Sequence, residues 1–246
     1  AYFLAEHVLS ITELQAYLAS DQYVPRVAVQ QGFRPFVRHE VRLEGLLANR
    51  LTRAGRWKEA APLYDDEQRQ TLMDYVNAIR AAHDEDKSAE ARAEHYWLAA
   101  TLAMTEAKPL LAFYAEPPYH VEKRHWRDAR YAQKRPQREL GKLAAMTDDE
   151  RERLADHAAE FARDRHAAFT AADHAWRACA LMPDHDDRTA YRLTIAGNWI
   201  MYRDPDAANR FYQALVKRCP DTELGRQAAK KRWFPKLTDD PLYLTK

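Results

Sequence analysis

The sequence predicts an all-α protein made of stacked antiparallel helix hairpins. Helix formers dominate: the 246 residues include 43 alanines against 13 isoleucines plus valines and only 6 glycines, and small or unbranched side chains lose less freedom in a helix than β-branched ones. Apolar residues recur at helical spacing along most of the chain, with capping residues, glycine and proline between the periodic stretches. The length suffices for a buried core without disulfides or metal.

The elements follow in order. Ser10-Ile-Thr-Glu13 has the reciprocal capping pattern and opens a helix carrying Leu14, Tyr17 and Leu18. Residues 20 to 38, with Pro25, Gly32 and Pro35, show no helical period and read as an irregular connection with some extended backbone. Val41, Leu43, Leu46, Leu47 and Leu51 mark a helix, Gly55 a tight turn, and Trp57, Ala60, Leu63, Leu72, Val76 and Ile79 a long second helix ending at the acidic His83–Asp86 cluster. Tyr96 to Met104 forms the next helix, Leu110 to Tyr114 its partner, and Pro117-Pro118 ends regular structure. Thr147–Glu150 is a second capping pattern. An alanine-rich helix runs from Ala167 to Met182, and its small residues let neighbouring helices approach closely.

The next helix has apolar stripes on two sides, Tyr191, Ile195, Trp199 and Tyr202 on one and Leu193, Ala196 and Ile200 on the other, which predicts an inner helix covered twice. Asp204-Pro205 places an N-cap before a first-turn proline, and Ala208, Phe211, Tyr212, Leu215 and Val216 keep an amphipathic period up to Cys219-Pro220. Asp221 is expected to cap a last helix through Leu224 and Ala228 to Trp233-Phe234. The organisation is then one helical-repeat domain over 1–246: an N-terminal helix and connection (1–38), first hairpins (39–114), an insertion (115–147), C-terminal repeats (148–234) and a tail (235–246).

Charge and chemistry narrow the function. Lysine plus arginine (38) balances aspartate plus glutamate (37), so no global field announces a nucleic acid or an anionic membrane. The exception is local: residues 119–138 hold seven bases against Glu122 and Asp128, with Arg124, Trp126, Arg127, Arg130, Tyr131 and Lys134 forming a basic aromatic patch. Arginine and lysine contact phosphates while rings stack on bases, so this patch carries a nucleic-acid reading; an acidic protein would use the same residues. No apolar stretch reaches the roughly 18 residues a membrane span needs. The apolar opening Tyr2, Phe3, Leu4, Val8 and Leu9 is what a cut longer precursor would leave.

No metal, cofactor or catalytic residue is expected. His39-Glu40 lacks the second histidine of a zinc-protease helix, and Glu122-Lys-Arg-His125 is a single half of a di-iron pattern. The acidic stretches His83–Asp86 and Asp184–Asp187 read as caps and turns. Cys179 and Cys219 lack zinc spacing and read as packing thiols, and six scattered glycines build no phosphate loop.

Self-comparison finds three related segments. Leu47-Ala48, Leu51, Gly55, Trp57, Ala60 and Tyr64 match Ile195-Ala196, Trp199, Ala208 and Tyr212; Ala171, Ala175 and Ala178 lead to Pro183 as Ala208, Tyr212 and Leu215 lead to Pro220, 37 residues further on. Small residues at Ala48, Ala60, Ala196 and Ala208, a turn glycine, an aromatic and a closing proline at this period, close to roughly 34 residues, resemble tetratricopeptide repeats. The last unit, Ala207 to Gly225, is similar to repeats of bacterial cell-envelope lipoproteins, although Asp204-Pro205 stands where the turn glycine usually sits. The resemblance implies an irregular solenoid that binds a protein or peptide in a concave groove, in a bacterial periplasmic or outer-membrane-associated setting. In members that clamp a terminal carboxylate, an asparagine works with basic residues one turn away; the matching helix here offers Arg42, Asn49 and Arg53, with Gly45 at the lysine position. The expected function is therefore an interaction scaffold rather than an enzyme. Nucleic-acid binding through 119–138, or an enzyme pocket between 20–38 and 115–147, are the alternatives.

Overall fold

Ser10 caps the first helix as its spacing predicts: its hydroxyl accepts from the Glu13 amide at 3.0 Å, and the Glu13 carboxylate accepts from the Ser10 amide at 2.8 Å. A computed structural model of the chain describes residues 5–6, 9–24, 28–31, 38–111, 147–148, 167–237 and 242, with backbone alone at 28–31 and 38–41. Helices are numbered over those residues, which fall into two compact units, one within 1–63 with 147–148 and one formed by 64–111 and 167–242.

The first unit contains α1 (Ile11–Leu18), a two-stranded ribbon, α2 (Leu43–Arg53), the single turn α3 (Trp57–Ala60) and a 3-10 turn at Ala61–Leu63. The ribbon begins in the connection where some extended backbone is expected. Strands β1 (Ala28–Gln31) and β2 (Arg38–Val41) pair antiparallel, with Ala28 opposite Val41 and Gln31 opposite Arg38. Val41 therefore ends a strand and does not begin the helix. α1 and α3 pack on α2, whose Leu46, Leu47, Ala48 and Leu51 are buried. Gly55 turns the chain with a φ of +72°, a backbone state that only glycine adopts without strain.

The long helix expected from Trp57 to Ile79 is broken. Pro62 cannot donate to a helical ladder, and Asp65 starts a new helix, its side chain accepting from the Gln68 amide at 2.8 Å while Gln68 reaches back to the Asp65 amide. That helix, α4 (Asp66–His83), begins the second unit, followed by α5 (Ala89–Met104), the short α6 (Lys108–Leu111), α7 (Ala167–Ala180), α8 (Asp187–Ile200), α9 (Pro205–Arg218) and α10 (Glu223–Lys231).

Within this unit the pairing is serial: α4 packs on α5, α5 on α7, α7 on α8, and α8 on both α9 and α10. The α5–α7 pairing is the most extensive, and alanine explains it. Ala93, Ala99, Ala100 and Ala103 on α5 and Ala168, Ala171, Ala172, Ala175 and Ala178 on α7 are all buried, so the two backbones approach without long side chains between them. α8 is the inner helix the double stripe predicts, buried without a break from Arg192 to Ile200. Asp204 caps α9, with Pro205 in its first turn, as expected. The last cap lies one residue later than Asp221: Thr222 accepts from the Gly225 amide at 3.1 Å.

Candidate functional site

The three residues expected to line a groove do not share an open surface. Arg42 is exposed at the N-cap of α2, and its side chain makes no capping bond. Asn49 is 1% exposed. Arg53 is buried in an ion pair with Glu6, whose carboxylate has no solvent exposure. One turn away, Arg50 Nη1 donates to the carbonyls of Ala5 and Leu9, each at 2.6 Å. Arg50 and Arg53 of α2 are therefore engaged by Ala5, Glu6 and Leu9 of the chain's own N-terminal segment. Helical period placed Asn49 and Arg53 on one face but says nothing of what lies against it. Glu6 was the available signal: an acid inside the apolar run Tyr2–Leu9 must find a cation if it is buried charged.

The basic aromatic patch, Arg124, Trp126, Arg127, Arg130, Tyr131 and Lys134, lies outside the described residues, as do Glu122 and His125. His39-Glu40 sits on strand β2, which removes the helix a zinc-protease pattern needs. Among the described residues no three histidine, cysteine or acidic side chains converge on a metal position, and no helix is long and apolar enough to cross a membrane.

The densest constellation in the second unit is on α8. The Trp199 ring stacks on Trp97 of α5 at 5.8 Å and 16°, and Tyr191 meets Trp97 edge-on at 6.3 Å. The Arg192 guanidinium lies 4.9 Å over the Trp97 ring and donates to the Glu94 carboxylate at 2.5 Å. Arg188 donates to the other Glu94 oxygen at 2.8 Å. The Arg192 hydrogen bond, with both guanidinium charges behind it, holds Glu94 below the usual carboxylate range. Arg192 is thus a cation with a carboxylate on one side and an aromatic face on the other, which suits a buried position.

Phe234 and Leu242 of the C-terminal segment also contact α8. Arg232, in the left-handed conformation at φ 55°, closes α10 and turns the chain back. Trp233 and Phe234 then pack on Tyr212 of α9 at 5.5 and 6.1 Å. Phe234 lies directly over Gly197, where a Cβ would stand only 2.1 Å from the ring. Trp199 Nε1 donates to the Leu242 carbonyl at 3.0 Å. Sequence reading treated 235–246 as a tail; Gly197 was the unread sign of close approach.

Two further groups are buried. Cys179 and Cys219 are free thiols, Cys179 pushed up to about 12 by burial and Cys219 also raised by burial. A thiol held protonated in this way is a poor nucleophile. Tyr75 of α4 and His174 of α7 share a hydrogen bond of 2.9 Å.

Compared with known proteins, the chain matches no family model, and no curated protein or solved structure shows significant similarity to it. The described residues define the class of a helical protein whose second unit is built from serially packed helices.

Proposed function

We propose that this chain is a protein-interaction scaffold whose tetratricopeptide-like helical array binds a peptide or protein partner in an envelope-associated assembly. The observation that supports it most is the serial pairing α4, α5, α7, α8, α9 and α10. An array in which each helix buries its apolar face on the next leaves long side surfaces available for recognition. The buried small residues Ala196 and Ala208, at the positions where repeat helices cross, are consistent with that reading. The reading assigns binding to the array and no step of chemistry.

Affinity capture from a native extract tests the reading, run at low and high salt with and without nuclease. A defined protein retained after nuclease treatment is the expected result. Recovery of nucleic acid alone, lost at high salt, would overturn the scaffold and return function to residues 119–138.

A further inference from the structure

We propose that the basic end of α10, with Lys230, Lys231, Arg232 and Lys236, is a docking surface for a short acidic segment of a protein partner. This rests on the scaffold reading and names one of its surfaces and the chemistry it recognises. From Leu224 to Thr238 the sequence holds no acid and five bases, the fifth being Arg226. Arg226 is spent on Glu223 at 2.8 Å. The other four are exposed, and none of them pairs with a carboxylate among the described residues. That sets them apart from the other arginines of α8 and α9, since Arg188, Arg192, Arg210 and Arg218 each pair with an acid. The dipole of α10 accounts for Lys230 and Lys231, which sit in its last turn. Arg232 and Lys236 lie beyond the helix.

Arg232 carries the argument furthest. Its φ of 55° is the left-handed state in which glycine or asparagine commonly closes a helix, because a Cβ crowds the backbone there. A strained residue whose side chain finds no acid within the fold is one held for recognition. The surface is also fixed in place: Trp233 and Phe234 pack on Tyr212 of α9, and the Lys236 Cα lies at most about 14 Å from that of Arg232. About four residues of extended peptide span that distance. The same packing decides the ligand. Trp233 is engaged by Tyr212 and Phe234, and no apolar side chain of 233–237 is exposed, so this surface offers neither a free ring for a base nor an apolar anchor for a bilayer. Asp221 and Glu223 stand at the other end of α10, about 12 Å along its axis, and repel a long polyanion running past the patch. A short peptide bearing several carboxylates fits within it, with the Arg232 guanidinium taking one of them in a two-pronged contact.

The test uses the full chain and, as probe, dye-labelled hexaglutamate, with hexaglutamine as control. The unmodified chain is expected to bind hexaglutamate and not hexaglutamine, and to release it as salt is raised. Exposed charge pairs contribute modestly one at a time, so Arg232→Gly should weaken binding about threefold, and the triple change Lys230→Gln, Lys231→Gln and Lys236→Gln about tenfold. Arg232→Gly should also melt at the same temperature or higher, because glycine adopts the left-handed state without strain. Equal binding of hexaglutamate by the unmodified chain and both variants overturns the proposal, as does tighter binding to a DNA duplex or to phosphatidylserine-rich vesicles than to hexaglutamate. A lower melting temperature for Arg232→Gly would give that residue a task in the fold and overturn it as well. A defined protein captured from native extract by the triple variant as well as by the unmodified chain would leave the scaffold reading standing while this surface fell.

Discussion

The Tyr75 hydroxyl and His174 Nε2 are 2.9 Å apart and join α4 to α7 across 99 residues of sequence. The other imidazole nitrogen, Nδ1, is buried without a hydrogen-bond partner. Protonation would therefore place a charge and a second N–H where nothing receives them. Burial first, then the Arg177 and His83 charges, lower His174 to about 4, with Asp173 opposing. Since the unfolded chain titrates near 6.5, it binds the extra proton first as the solution is acidified. The contribution of neutral His174 is complete above about pH 6.5 and is lost as pH falls toward 4. Urea unfolding between pH 7 and 4 should show a loss of about 3 kcal/mol from this group, and His174→Phe should flatten that window. An unchanged slope in the variant would reject the assignment.

Glu94 separates the worth of two arginines. Arg192 has a side-chain exposure of 6% and Arg188 of 60%, although both donate to the same carboxylate. Losing an exposed pair costs within about 0.5 kcal/mol, whereas leaving a buried guanidinium without its acid costs about 2 kcal/mol or more. Arg188→Ala is thus expected to be nearly neutral in chemical denaturation and Glu94→Ala clearly destabilising. Equal effects would show that Arg192 is held by Trp97 and not by the carboxylate.

What the sequence made legible was local. Ser10 with Glu13, Asp204 with Pro205, and the double stripe of α8 each express their partner within one or two helical turns, so spacing alone sufficed. The break before α4 was missed because Leu63 and Leu72 continue the apolar period across it; the signals that win, Pro62 and the Asp65–Gln68 capping box, concern hydrogen bonds and not hydrophobicity. Asn49 and Arg53 share a face on a helical wheel, which cannot show that Asn49 is buried and that Glu6 returns to pair with Arg53. Gly197 and Phe234 likewise meet only in three dimensions.

Glu6 and Arg53 give the sharpest electrostatic expectation in the first unit. Both side chains are nearly or fully buried, at 0% and 8% exposure, so removing either takes the ion-pair partner from a charge that water barely reaches. Glu6→Ala should cost about 3 kcal/mol, while the paired change Glu6→Leu with Arg53→Met should recover most of it, because the desolvation of both ions disappears together. Denaturation of the two singles and the double closes the cycle. A double variant as unstable as the singles would mean that Arg53 has a structural task apart from Glu6.

Gly225 tests how tightly α10 is seated on the end of α9. It lies in the first turn of α10, and a Cβ there would stand 1.8 Å from the Cys219 carbonyl oxygen and 2.8 Å from its carbon, both backbone atoms at the α9 C-cap. In an open helix, exchanging glycine for alanine gains about 1 kcal/mol. Here the clash is with main chain that also anchors Thr222, whose hydroxyl donates to the same oxygen at 2.8 Å, so relief requires α10 to move as a body. Overpacking of this kind costs about 1–3 kcal/mol and here outweighs the propensity gain. Gly225→Ala is expected to lower the melting temperature and to speed amide exchange in α10 more than in α5 or α7. A stabilised variant would mean that α10 is displaced from α9 in solution and that the Cys219–Thr222 turn does not hold it.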